Sequence, residues 1–229
     1  MYPIYPGPFV KFESSPWSEF LHLGVKRSFP ANAAIVHPGD DVRHVYFVER
    51  GEILTTYFLS PHDSFKLNVI GQNGVAGIFE LFAPVPLKSA WHTLAPCICR
   101  LFSKECVEKE LPKHLLVNLL EQMSLMGGIM LSRLVQGADK RNDVRLARYL
   151  LHFVEARRDK EKDDPGRITV VPSITQELSS ELLGVHPATF NKLLATFRAR
   201  GIIGKSKKNS LEILDLDALA RLAEGDDER

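Results

Sequence analysis

Cysteine is scarce in this chain: among 229 residues there are three, Cys97, Cys99 and Cys106, an odd number crowded into one short stretch. A secreted disulfide framework needs an even set spread along the chain, so that class is excluded and a reducing cytoplasm is expected. A long uncharged apolar run is lacking too. The most apolar stretch, residues 115–135, carries Glu121, Gln122 and Arg133, so no membrane role is expected. The start, Met1-Tyr2-Pro3-Ile4-Tyr5-Pro6, has neither the basic opening nor the apolar core of a signal peptide. Fourteen prolines and fifteen glycines are ordinary frequencies, which excludes collagen-like or low-complexity architecture.

Catalytic signatures are missing as well. No H-E-x-x-H or G-x-S-x-G occurs. Gly201-Ile202-Ile203-Gly204-Lys205-Ser206 approaches a phosphate loop, but Ala199 stands where the first glycine of G-x-x-x-x-G-K-S belongs, and the run follows a helix. An enzyme is therefore not expected.

Net charge is only +1, yet its distribution is uneven. Between His186 and Lys208 lie six basic residues (Lys192, Arg198, Arg200, Lys205, Lys207, Lys208) and no acidic one. Residues 209–229 then hold two basic residues against seven acidic ones. Charge concentrated in one short segment is what a local phosphate-binding surface requires; a solvated charged face is the plainer alternative.

Residues 30–102 read as β-rich. Ala34–Val36, Val45–Val48, Ile53–Leu59, Phe65–Ile70, Ser89–Leu94 and Cys97–Phe102 are short β-branched and aromatic runs separated by turns such as His37-Pro38-Gly39-Asp40 and Gly71-Gln72-Asn73-Gly74. Short strands at close spacing predict a sandwich or barrel, not βαβ units. After Pro112 the period changes: Leu115, Leu116, Leu119, Leu120, Met123, Met126, Met130, Leu131 and Leu134 recur at three- and four-residue intervals. This predicts an amphipathic helix over residues 113–136, about 36 Å long at 1.5 Å per residue. Leu116, Met123 and Met130 are seven apart, as are Leu119 and Met126, so these five form a candidate dimer seam that Gly127-Gly128 weakens. A single buried core helix is the alternative.

The most informative segment is 173–214. Ser173 or Thr175 can cap a helix through Leu183, Gly184 turns the chain sharply, and Pro187 opens a second helix ending at Gly201. Phe190, Leu193, Leu194 and Phe197 fall on one face of that helix; Ala188, Thr189, Asn191, Lys192 and Ala195 fall on the other. Helix, short glycine turn, helix with a small polar outer face is a helix-turn-helix. His186, Ala188, Thr189, Asn191 and Lys192 are the candidate groove-facing residues, and the basic turn with Lys205, Lys207 and Lys208 is a candidate wing on the phosphate backbone.

This order of parts resembles the CRP/FNR superfamily of bacterial transcription regulators. The landmarks are His37-Pro38-Gly39-Asp40, Tyr46-Phe47-Val48-Glu49-Arg50-Gly51, Gly77-Ile78-Phe79-Glu80-Leu81-Phe82, Lys88-Ser89-Ala90-Trp91 and Gly184-Val185-His186-Pro187-Ala188-Thr189-Phe190. The resemblance implies an α+β chain: an effector-sensing, cyclic-nucleotide-binding-like β-roll or jelly roll over residues 1–111, a central dimerisation helix over 112–137, and a winged helix-turn-helix over 138–229. It also implies a homodimer on an inverted-repeat DNA operator, answering to a small-molecule effector, with RNA polymerase as a further partner of an activator.

Departures from the family pattern narrow these implications. Ile78 stands where cyclic-AMP-binding members place a ribose-binding glutamate, Lys88 where they place a phosphate-binding arginine, and Met130 and Leu131 where they place a polar pair. Losing those hydrogen bonds argues against a cyclic nucleotide. The expected effector is a small organic molecule, aromatic or carboxylated, in a pocket of Gly77, Ile78, Phe79, Lys88, Ser89, Trp91, Met126, Met130 and Leu131; a halogenated-aromatic-sensing branch with a similar Gly-Val-His turn is the nearest analogy. No cofactor is expected: three cysteines fall short of the usual four for an iron–sulfur cluster. Haem stays open as an alternative, with His22, His37, His44, His62, His92, Cys97, Cys99 and the helix methionines as ligand types. A thiol switch at the cysteines, and a ligand-sensing module without strong DNA binding, also stay open. Pro187 and Ala188 replace the family's arginine and glutamate base readers, and Lys192 replaces its later arginine, so the operator is expected not to be of the TGTGA type.

Overall fold

The computed structural model describes residues 7–12, 14–60, 63–83, 87–138, 141–157, 168–170, 175–204 and 211–225. Two compact units emerge, one of residues 9–130 and one of residues 131–229 together with residues 1–8.

The first unit holds β1 (Phe9–Val10), a 3₁₀ helix (Pro16–Leu23), β2 (Val25–Phe29), β3 (Ala34–Val36), β4 (His44–Arg50), β5 (Ile53–Ser60), β6 (Asp63–Ile70), β7 (Val75–Ala76), α1 (Ile78–Phe82), β8 (Ser89–Thr93), β9 (Cys97–Ser103) and α2 (Lys104–Lys109). Most of α3 (Lys113–Ala138) also belongs to it. The strands form a five-stranded sheet in the order β1-β6-β5-β8-β3 and a four-stranded sheet in the order β2-β9-β4-β7. All neighbours are antiparallel except β1 and β6. The six strands expected from the sequence are present. β1, β2, β7, α1 and α2 are too short or too polar to announce themselves.

The two sheets share a core. Ile53, Ile70 and Trp91 of the larger sheet meet Val48, Ala76, Cys99 and Leu101 of the smaller one, and Met126 and Ile129 of α3 join them. A second cluster gathers Phe47, Phe102, Leu115 and Leu119 around Trp17, whose ring lies 4.8 Å from that of Phe102. A polar chain ties helix to sheet inside this apolar surround: Trp17 Nε1 and Gln122 Nε2 both donate to Asn118 Oδ1, at 3.0 and 2.9 Å, while the Val75 amide donates to Gln122 Oε1 at 2.9 Å.

The second unit contains α4 (Asn142–Arg157), β10 (Ile168–Val170), α5 (Gln176–Leu183), α6 (Pro187–Ala199), β11 (Leu211–Ile213) and α7 (Leu216–Glu224). Its core is built around the apolar side of α4, with Leu146, Tyr149, Leu150 and Phe153 buried. Thr175 caps α5 by accepting from the Leu178 amide at 3.1 Å; Ser173 lies outside the described residues. Two arginines of α4 bond the carbonyl ends of other helices, Arg145 Nη2 to Leu183 O at 2.6 Å and Arg148 Nε to Ala223 O at 2.8 Å. Cations there complement the helix dipole.

Candidate nucleic-acid interface and effector cavity

The turn between α5 and α6 is set by Gly184 at φ 70° and ψ 42°, a left-handed conformation that costs a residue with a Cβ. Its amide closes α5 by donating to Glu181 O at 3.1 Å. Pro187 then starts α6, and the His186 ring caps it, Nδ1 accepting from the Ala188 amide at 3.2 Å. Phe190, Leu194 and Phe197 are buried, with the Phe190 ring against Tyr149 of α4. The opposite side of α6 is open: His186, Ala188, Asn191, Lys192 and Ala195 are exposed, and Thr189 is half-buried. A rod with small residues at Ala188 and Ala195, an amide at Asn191 and a cation at Lys192 is shaped for close approach to base edges and phosphates.

Lys205, Lys207 and Lys208 lie outside the described residues. The chain on either side of them is paired: Ile203 bridges Ile213 in antiparallel fashion, and the Gly204 amide donates to Glu212 O at 2.8 Å.

In the first unit, a cavity of about 140 Å³ opens between β5, β6, β8, α1 and α3. Gly77, Ile78, Phe79, Ser89, Trp91, Met126 and Met130 line it. Gly77 is required there twice over, by φ 92° and because a Cβ would lie 2.8 Å from the Trp91 ring and 2.9 Å from His44 O. Lys88 and Leu131 do not line the cavity. Lys88 is exposed, at a bend just before β8, whereas Ser89 is buried; Leu131 is 66% exposed, on the far side of α3 from buried Met126 and Ile129.

Sequence reasoning missed the cavity's polar floor. A β-bulge pairs Thr55 with Asn68 but Thr56 with Lys66, so Leu67 is extra in β6 and both Leu67 and Asn68 reach the cavity. Thr55 bonds the buried Asn68 side chain, and Ser89 Oγ donates to Glu80 Oε1 at 2.8 Å. Bulges and pairs of this kind leave no periodic signal.

The family of Crp-like helix-turn-helix domains matches residues 144–222. No curated protein matches the sequence. Among solved structures, CprK complexed with OCPA shares 19% identity at TM-score 0.71, over 93% of this chain and 97% of that one. FixK2 from Bradyrhizobium japonicum shares 17% at 0.72, over 87% and 96%, and a CooA mutant from Carboxydothermus hydrogenoformans 16% at 0.73, over 92% of each. Residues 144–222 are similar to Crp-like helix-turn-helix domains, and the chain shares its fold with these three structures.

The five expected seam residues face inward to different degrees. Leu119 and Met126 are buried in the core of their own unit, and Leu116, Met123 and Met130 are half-buried against it. Among the described residues, the exposed large apolar side chains of α3 are Val117, Leu120, Leu125 and Leu131. The heptad of methionines and leucines suits packing on the β-sheets as well as on a second helix, because a helix laid on a sheet buries the same period as one laid on another helix. By length and composition Lys113–Ser132 could cross a membrane; its apolar inner face is occupied by the β-roll core.

All three cysteines are buried, and burial pushes each thiol up, Cys99 to about 12 with Cys97 and Glu49 beside it. That withholds the thiolate on which a switch depends. Among the described residues no His or Cys lines this cavity, and about 140 Å³ is too small for a porphyrin. Among the described residues no three His, Cys, Asp or Glu side chains are placed to hold a metal, and His62 lies outside them.

Proposed function

We propose that the protein is a homodimeric, effector-responsive regulator that binds an inverted-repeat operator through α6 and senses a small organic molecule, not a cyclic nucleotide, in the β-roll cavity. The observation that carries the reading is the open face of α6 with Asn191 and Lys192, presented behind a left-handed Gly184 turn. Its place of action is the cytoplasm, where the DNA is. With Pro187 and Ala188 at the start of α6, no guanidinium or carboxylate is available there for a TGTGA-type half-site.

The effector reading draws support from the cavity: apolar side chains dominate its lining, Ile78 sits where a ribose would need an acceptor, and about 140 Å³ is too little for a nucleotide. CprK, which has the same fold, has been crystallised with o-chlorophenolacetic acid. The dimer reading draws support from Val117, Leu120 and Leu125, which leave one side of α3 apolar and uncovered, next to small Ser124 and Gly127. A ligand that touches Met126 and Met130 touches the same helix, so it can favour one dimer arrangement through differential contacts.

Selection from random DNA, followed by binding across a salt series, tests the proposal. An inverted repeat other than TGTGA, bound with steep salt dependence and altered by ligand, is the expected result. No binding at low salt would instead identify a ligand-sensing module.

A further inference from the structure

The cavity's size and charge specify its ligand more closely. A protein cavity of about 150 Å³ accommodates benzene, and this one measures about 140 Å³, the scale of a single ring. Trp91 lines it and is completely buried, and its indole Nε1–H has no hydrogen-bond partner. Trp17, the second of the two tryptophans, has its own donor satisfied by Asn118. A buried donor without an acceptor gives up the bond it made with water, and an acceptor on a bound molecule would restore it. Charge points the same way. Glu80 is the one carboxylate among the described lining residues, and no Lys, Arg or His stands with it. An anion entering this space would meet Glu80 with no cation in the same lining to offset its desolvation; Arg43 and Lys104 line the neighbouring pocket that shares Glu80.

We propose that the cavity selects an uncharged single-ring organic molecule whose hydrogen-bond acceptor takes the Trp91 indole N–H, and that Glu80 turns away carboxylates of the same size. This deepens, and rests on, the reading of the β-roll cavity as the effector site. It also departs from the aromatic acid bound by CprK and from the sequence-based expectation of a carboxylated ligand.

Three probes of matched size test it: acetophenone, a ring with a neutral acceptor; toluene, a ring without one; and benzoate, the anion. In full-length protein labelled with ¹⁵N-tryptophan, acetophenone should saturably move one indole resonance downfield, the one absent from W91F and retained in W17F. W91F should weaken acetophenone about tenfold and leave toluene unchanged, and benzoate should bind at least about tenfold more weakly than acetophenone, a gap that E80Q narrows. Benzoate binding as tightly as acetophenone, or acetophenone binding equally to W91F, would overturn the inference while leaving the cavity a ligand site. Failure of all three probes to shift the Met126 and Met130 methyl resonances would overturn the effector-cavity reading together with it.

Discussion

The buried amide of Val75 donates to Gln122 Oε1 at 2.9 Å, which fastens the central helix to the strand that leads into Gly77. Gln122 is itself 2% exposed, so neither group has water as a substitute. Q122L should therefore leave the Val75 N–H unsatisfied and cost about 1–3 kcal/mol. Urea unfolding of wild type and variant measures this, and an unchanged midpoint would show that the bond contributes nothing net.

Arg145 plays a comparable part in the second unit, donating from α4 to the last carbonyl of α5 and to Asn142 Oδ1 at 3.0 Å. R145A should lower stability by about 1.5–3 kcal/mol, the range for hydrogen bonds to a charged group. Because α5 supports α6, operator affinity should fall as well, although the Arg145 bond to Leu183 lies within the protein. Paired unfolding and DNA-binding titrations would separate the two effects.

Core and seam on α3 can be told apart by two substitutions. L119A removes a side chain 4% exposed and should destabilise by about 2–5 kcal/mol. L120E alters one that is 57% exposed; it should leave the fold intact and shift the protein to monomer in sedimentation. A dimeric L120E would move the interface elsewhere.

On α6, K192A and N191A should differ in kind. Loss of a phosphate contact at Lys192 should weaken all sequences alike and reduce the salt slope by about one. Loss of a base contact at Asn191 should cost about 1–3 kcal/mol on the preferred half-site and little on scrambled DNA. Competition binding with both DNAs reads the difference.

His152 of α4 is predominantly buried, and burial lowers its pKa from 6.5 to about 4. The folded unit holds it neutral while the unfolded chain protonates near 6.5, so the unfolded state binds more protons between those values. The contribution to stability is complete above pH 6.5, falls as pH drops towards 4, and amounts to about 3 kcal/mol at most. H152Q should flatten the stability profile across that window in chemical denaturation at stepped pH. Parallel profiles would place the acid sensitivity in another group.

Local chemistry made much of this protein legible in advance. Proline at 187, glycine at 184 and a threonine at 175 determine where α5 and α6 begin and end, because caps and left-handed turns depend on the residues that occupy them. The apolar period of α6 determines which side is open, and short β-branched and aromatic runs between turns mark the six main strands. Which partner each apolar face meets was decided only in three dimensions. Leu119 and Met126 carry a period suited equally to a second helix or to a sheet, and the β-roll took them, leaving Val117 and Leu120 outside. The pairing of Glu80 with Ser89, the bulge at Leu67 and the unpartnered Trp91 donor have no trace in the order of residues. They arise from strand register and from contacts between distant segments, which no local propensity encodes.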